Sequence, residues 1–255
     1  MNETYKVQVQ DLVDDLKAVF THAGLGGEAG EYKLLTQSFL YKFLNDKFLY
    51  QAQVLDESNT YENLLAMSEE DYDWLLEDIG TSTAWLKPGQ LIETLHRQQN
   101  EPTFYETFEN TLNQIAIDNN DIFSVHTDGD TAIRLFDERL ITDTISDSSK
   151  RNEVAKAIIN LLARVKFDET IFSQGFDFFS TLFEYMIKDY NKDGGGKYAE
   201  YYTPHSVAKI IADILVGNDQ PSNVRIYDPS AGSGTLLMNL ASRIGVDKTT
   251  VYSQD

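Results

Sequence analysis

The chain has 255 residues, 21 Lys/Arg against 41 Asp/Glu, a net charge of −20 at pH 7, and no cysteine. The missing cysteines exclude disulfides, thiolate metal sites and cysteine nucleophiles. A surface this acidic is a poor stand-alone ligand for a phosphate backbone, because non-specific affinity comes from cations that displace counterions.

No apolar run reaches membrane-spanning length, and the N-terminal MNETYKVQVQDLVDDLK has neither a basic start nor a continuous apolar stretch, so a cytoplasmic protein is expected. The charge is uneven: residues 1–165 hold 13 Lys/Arg and 29 Asp/Glu, whereas residues 166–255 hold 8 and 12. If nucleic acid is the substrate, another region or subunit supplies most of the positive charge. The plain alternative is acidity that only keeps a helical domain soluble.

The first two-thirds read as helical. AGLGGEAGE (23–31) reads as a loop, and no Lys-Ser/Thr follows its glycines, so it is not a nucleotide-binding P-loop. In KLLTQSFLYKFLNDKF, the residues Leu34, Leu35, Phe39, Tyr41, Phe43, Leu44 and Phe48 are apolar around much of a helix, as in a core helix. Residues 56–82 hold short acidic helical pieces. Phe104, Phe108, Leu112 and Ile115 share one face of a further helix over 101–118. A polar break at 143–153 precedes a helix whose stripe is Val154, Ile158, Leu161, Leu162 and Val165. An aromatic-rich segment follows (Phe176, Phe178, Phe179, Phe183, Tyr185, Met186) and reads as core, and DGGGKYAE (193–200) as a hinge.

The pattern changes after residue 200. TPHSVAKIIADILV reads as a helix with Thr203 as N-cap, Pro204 at the first helical position, and an apolar stripe of Val207, Ile210, Ile211, Ile214 and Leu215. VRIYD (224–228) is a β-branched strand, PSAGSG a Gly-rich turn, TLLMNLASRI a helix, and TVYSQ the start of another strand. Strand, turn, helix and strand compose a βαβ unit, the opening of a doubly wound parallel sheet that needs further strands to cover its edges.

Asp228-Pro229-Ser230-Ala231-Gly232-Ser233-Gly234-Thr235 carries the chemistry. Glycines between a strand and a helix let a ligand approach the backbone. Leu237 stands where a dinucleotide fingerprint needs its third glycine, Asp228 closes the strand where it could hold an ammonium group, and Asp255 lies 21 residues after Gly234, placed for ribose hydroxyls. An acidic strand tip disfavours a pyrophosphate and favours a zwitterionic nucleoside; the competing interpretation is an ordinary βα turn. The second stretch, Ala199-Glu200-Tyr201-Tyr202-Thr203-Pro204-His205, stands before a helix whose free N–H groups suit a carboxylate. With one helix between them, the two stretches could share a pocket.

The pair AEYYTPHSVAKII and DPSAGSGTLL resembles the N6-adenine DNA methyltransferases, and most closely the modification subunit of type I restriction–modification systems. QSFLYKFLNDKF and the VYSQD ending are similar to that family too, where the ending usually reads Gly-Gln-Glu. The resemblance spans nearly the whole chain and is specific in its last sixty or so residues. It implies a mainly α N-terminal domain (1–165) followed by the start of a truncated α/β Rossmann-like S-adenosylmethionine-dependent methyltransferase domain (166–255).

By the resemblance, Glu200, Tyr201, Tyr202, Thr203, Pro204 and His205 line the methionine side of S-adenosylmethionine. Asp228 sits near the methionine amino group, Gly232, Ser233, Gly234 and Thr235 pack under the cofactor, and Asp255 takes the place of the ribose-binding Glu. Ala199 replaces the family's usual Gly, and Asp255 reaches one methylene less than Glu. The partners implied are DNA, a specificity subunit, a second modification subunit and, in the restricting complex, a restriction subunit.

Members of this family hold a flipped adenine at an Asn/Asp-Pro-Pro-Tyr/Phe motif. The five prolines here (Pro88, Pro102, Pro204, Pro221, Pro229) are never adjacent, so no catalytic residue is assigned. His22, His96, His126 and His205 show no metal spacing, and no metal site is expected. Two rival readings remain: a methyltransferase for a non-DNA substrate, and a truncated, inactive protein that binds partners or cofactor.

Overall fold

The computed structural model describes residues 3–27, 29–81, 83–123, 134–172, 185 and 203–254. They fall into two compact units, one spanning Glu3–Phe172 and the other lying within 173–255.

The first unit is helical among its described residues. In α1 (Glu3–Ala23), Val9, Leu12, Val13, Leu16 and Phe20 recur at helical spacing and are all buried. The helix stops at Gly24, whose φ of +98 is left-handed territory that a side chain resists. Helix α2 (Ala29–Leu55) begins earlier than the expected loop at 23–31 allowed. The connection needs only residues 24–28, because Gly24 and Gly27 turn the chain while Gly30 is already helical. Gly30 is small for another reason: a Cβ there would stand 2.7 Å from Thr144 Cγ2.

All seven apolar residues read as core in α2 are buried, and Lys42, Asn45 and Asp46 are buried with them. Helix α3 (Tyr61–Ala66) is capped by Thr60 and α4 (Glu69–Ile79) by Ser68, each hydroxyl accepting an N–H from the first turn. There follow a 3-10 turn at Pro88–Gln90, α5 (Ile92–Gln98), α6 (Phe104–Asp118), α7 (Asn120–Phe123), α8 (Leu140–Thr144), α9 (Arg151–Arg164) and α10 (Glu169–Phe172). Phe104, Phe108, Leu112 and Ile115 of α6 are fully buried, as are Ile158, Ile159 and Leu162 of α9, which packs against α1, α5 and α6.

Polar groups tie this core together. The Tyr41 hydroxyl donates to the Gln90 carbonyl (2.6 Å), and Asn45 Oδ1 accepts the Ile92 N–H (2.9 Å). Asp46 accepts the Phe167 N–H (2.7 Å) and pairs with Lys42 (2.9 Å). Burial pushes the Lys42 ammonium below its ordinary pKa, against the opposing pull of Asp46.

The second unit contains α11 (His205–Val216), β1 (Val224–Asp228), α12 (Thr235–Ile244) and β2 (Thr249–Ser253). The strands are parallel, Val224 opposite Thr249 and Asp228 opposite Ser253, joined through α12. Ile226, Leu237 and Ala241 form the centre, with Val224, Ala231, Leu240 and Ile244 packed around them. β1 and α12 have the bounds expected from sequence; further strands of a doubly wound sheet are absent among the described residues.

Three expectations for α11 need correction. Thr203 is not its cap: Pro204 (φ −55, ψ 134) occupies that position, its carbonyl accepting the Val207 and Ala208 N–H groups. The residue before a proline is held extended, which keeps Thr203 out of the helix. Pro204 is therefore not the first helical residue, and the apolar stripe Val207, Ile210, Ile211, Ile214, Leu215 faces outward. α11 buries Ala208, Ala212 and Val216 and exposes the larger residues, Ile214 by 74%. Small side chains let α11 approach α12 closely, and that contact sets its rotation.

The aromatic segment and the hinge at 193–200 lie outside the described residues, apart from Tyr185. No helix among the described residues is long and apolar enough to cross a membrane.

Candidate cofactor site

The Gly-rich turn between β1 and α12 is held by a few backbone bonds. The Gln254 N–H donates to the Asp228 carbonyl (3.0 Å), and the Ala231 N–H donates back to the Gln254 carbonyl (2.9 Å). The turn is thereby stitched to the end of β2. Asp228, half-buried at the strand end, accepts the Ser230 N–H on Oδ1 at 2.9 Å, which folds the chain away from the strand. The Gly234 N–H donates to the Ala231 carbonyl (2.8 Å), and the Gly234 carbonyl accepts the Met238 N–H as α12 begins.

Gly232 and Gly234 have φ of +51 and +71, and Gly234 is the N-cap of α12. No atom lies within 4 Å of where a Cβ would stand at either position. Glycine is therefore demanded by backbone conformation, and the space above the turn is open to a ligand. The Ser233 and Thr235 hydroxyls are hydrogen-bonded to each other (2.8 Å), and the buried Thr235 carbonyl accepts the Asn239 side-chain N–H. The first turn of α12 carries no acidic side chain, so the positive end of its dipole is unopposed there.

Helix α11 lies against α12. Arg243 Nε donates to Asp213 (2.8 Å), and its NH2 donates to the Gly217 carbonyl (2.8 Å). Arg243 sits in the last turn of α12, beside the last turn of α11. The two helices run side by side in one direction, with their N-terminal ends toward the Asp228 end of β1. A cavity of about 160 Å³ beside that end is lined by Ile211, Leu215, Ile226, Tyr227, Asp228 and Leu236, among others.

Asp228, Gly232, Ser233, Gly234 and Thr235 thus meet at one turn; Thr203, Pro204 and His205 stand at the start of α11, with His205 half-buried. Glu200, Tyr201, Tyr202 and Asp255 lie outside the described residues. Sequence reasoning missed Gln254, whose backbone closes the turn and whose side chain accepts the Tyr227 hydroxyl (2.7 Å). Its role is carried by main-chain atoms, and nothing in the sequence signals it. Among the described residues, no three His, Asp or Glu side chains gather as a metal site.

A parallel strand–Gly turn–helix–strand with an acid at the first strand's end is of the class that receives a nucleoside at the carboxyl end of its strands. Residues 174–254 match the family model of the N-6 DNA Methylases.

The chain is similar to methylase subunits of type I restriction systems, in one case over nearly its whole length. It is 24% identical to the type I restriction enzyme MpnII methylase subunit of Mycoplasma pneumoniae, over 96% of this chain and 45% of that protein. It is 25% identical to the MjaIX methylase subunit of Methanocaldococcus jannaschii, over 49% of this chain and 24% of that one. The fold is similar to that of the type I restriction–modification methyltransferase subunit from Streptococcus thermophilus, with a TM-score of 0.64 at 22% identity, covering 97% of this chain and 52% of that structure. The chain spans about half the length of these two full-coverage matches.

Proposed function

We propose that the chain serves in N6-adenine methylation of DNA, with S-adenosylmethionine as donor, as part of the modification subunit of a type I restriction–modification system. In this reading, 1–165 is the helical domain of that subunit, and 166–255 opens its Rossmann-like methyltransferase domain. The observation that carries it is the open, left-handed Gly232–Gly234 turn beside the Asp228 carboxylate, within the segment that matches the N-6 DNA Methylases.

The residues fit the donor's shape and charge. Asp228 keeps an oxygen beyond the one that holds Ser230, suited to an ammonium group. Gly232, Ser233, Gly234 and Thr235 offer a floor without protruding Cβ atoms, and Asp255 takes the ribose. Glu200, Tyr201, Tyr202, Thr203, Pro204 and His205 close the methionine side at the start of α11. The donor supplies an electrophilic methyl group; these residues hold and orient it and shield it from water. Activation of the target amine falls to an Asn/Asp-Pro-Pro-Tyr/Phe element, which residues 1–255 do not contain.

The subunit works in the cytoplasm on DNA gripped by an assembly with a specificity subunit, a second modification subunit and a restriction subunit. The net charge of −20 supports that division of labour, since phosphate contacts must come from elsewhere.

The test is genomic. N6-methyladenine is measured by mass spectrometry in the source organism and in chromosomal Asp228→Ala and Gly234→Val variants. Loss of the modification from one recognition motif in both variants is expected. Unchanged methylation in both would sink the proposal.

A further inference from the structure

Residues 48–86 hold nine Asp/Glu and no Lys or Arg. Six of them lie on α4, five of these around Trp74: Glu70 and Asp71 one turn before it, Glu77 and Asp78 one turn after, and Asp73 adjacent. On a helix, residues three and four apart are surface neighbours, so Trp74 stands inside a ring of carboxylates. All five acids are exposed, and the Trp74 side chain is 62% exposed. The helix does not need this face for its own packing, because Tyr72, Leu75, Leu76 and Ile79 bury the other one.

The ring is uncompensated. Elsewhere in the same unit, exposed acids are paired with an arginine four residues away, as in Glu93–Arg97, Arg134–Glu138 and Arg139–Asp143. Among the described residues, no Lys or Arg pairs with Glu70, Asp73, Glu77 or Asp78. The acids at the start of α4 complement its dipole and Asp71 joins the Ser68 cap, but Glu77 and Asp78 sit at the negative end. Local helix electrostatics therefore disfavours those two, and the large apolar ring between them gains nothing from water.

Beside the ring, a recess of about 270 Å³ is lined by Met67, Glu69, Tyr72, Asp73 and Lys87. Its one cation, Lys87, is paired with Asp118 at 3.3 Å.

We propose that the Trp74 face of α4 is a docking surface for an arginine- or lysine-rich protein segment. An indole face attracts a guanidinium or ammonium group, most strongly when the contact loses water. Carboxylates around it add charge-assisted hydrogen bonds, which fix the direction of approach. Asp73 borders both the Trp74 face and the recess, so a second cationic side chain has a place to enter. Charge complementarity selects the partner: nucleic acid is repelled by this face, and an acidic or neutral peptide gains nothing from it.

The proposal is tested with the intact chain and a fluorescein-labelled peptide of six arginines interspersed with glycine, followed by anisotropy at physiological salt. Trp74→Ala removes no charge, and is expected to weaken binding about fivefold. Trp74→Phe, which keeps an aromatic face, retains most of the affinity. Glu70→Gln/Asp73→Asn/Glu77→Gln is expected to weaken binding about tenfold or more.

The control, Asp11→Asn/Asp15→Asn/Asp121→Asn, removes the same charge from exposed positions elsewhere on the unit and is expected to leave affinity within about twofold. Equal weakening by the two triple variants means attraction to bulk charge only and overturns the proposal. So does full affinity in Trp74→Ala. A DNA duplex that binds the chain and loses that binding in Trp74→Ala would make nucleic acid the occupant, with the same consequence. Circular dichroism of each variant reports that α4 remains folded.

Discussion

The two units differ in how far they satisfy themselves. The helical unit encloses a large aromatic core: Phe20, Phe39, Tyr41, Phe48, Phe104, Phe108, Phe136 and Phe167 are all fully buried. The βαβ unit centres on Ile226, Leu237 and Ala241, and leaves Ile210, Ile214, Leu215, Tyr227, Val251 and Tyr252 exposed. Among the described residues, one unit encloses a large core, and the other closes its polar turn while leaving many of its larger apolar side chains exposed. The turn is closed by its glycines and by backbone bonds to Gln254 within the same unit, whereas a sheet needs neighbours on both faces. The stability of this chain should therefore reside in Glu3–Phe172, and six substitutions probe that division.

Phe108→Ala is the largest expected break. The ring is fully buried, with the Tyr41 ring edge-on at 6.2 Å between centroids, and no neighbour can relax into the void without moving α2 or α9. A loss of about 3–5 kcal/mol is expected from urea denaturation followed by helical ellipticity. A loss under 1 kcal/mol would mean that α6 is not part of the cooperative core.

Asp46→Ala comes next. It strands Lys42, only 4% exposed, without its counter-charge and removes the acceptor of the Phe167 N–H. Breaking one side of a buried ion pair costs about 3 kcal/mol or more. Hydrogen exchange should speed up at Phe167 more than at amides of α6. Uniform acceleration would show that the pair stabilises the unit without pinning this segment.

How much of this was legible in the sequence depended on the distance over which each feature is specified. The faces of α6 and α9 and the bounds of α12 and β1 were readable, since a 3.6-residue period or a β-branched run bounded by turn residues is local information. The burial of Lys42, Asn45 and Asp46 was not. Their partners, Asp46 apart, arrive from Ile92 and Phe167, and in the sequence they look like the solvated side of a helix. The orientation of α11 was not legible for a related reason: its most apolar stripe looks like the buried one, while contact with α12 selects the side where small residues permit approach. In the candidate site, Gly232 and Gly234 were legible because their φ values exclude other residues, and Asp228 because it ends a strand. Gln254 contributes main-chain atoms and leaves no trace in residue type.

A smaller effect sharpens the comparison through pH. Burial pulls the Asp118 carboxyl up, but hydrogen bonds from Gln114 (2.7 Å) and Gln90 (3.0 Å) and the Lys87 ammonium (3.3 Å) outweigh it, leaving the pKa below its ordinary 3.8. A depressed carboxyl stabilises the fold above its unfolded value, and that contribution fades as pH falls through the folded value. Asp118→Asn should cost about 1 kcal/mol at pH 7. The gap between variant and parent should close below pH 3.8, as the parent's carboxyl takes up its proton. A gap that stays constant to lower pH would assign the loss to geometry instead of charge.

The smallest expected effect lies in the other unit and bears most directly on the contrast. Ile214 and Leu215 are 74% and 67% exposed, so replacing either by serine removes little buried surface. Stability should stay within about 0.5 kcal/mol, as for most exposed positions. Ala212→Leu, on the opposite side of the same helix, should instead cost about 1–3 kcal/mol, because it forces α11 away from α12. Calorimetric melting of the three variants gives the comparison within a single helix. If Ile214→Ser proved as costly as Ala212→Leu, the large stripe would be covered in solution, and the βαβ unit would be as self-sufficient as the helical one.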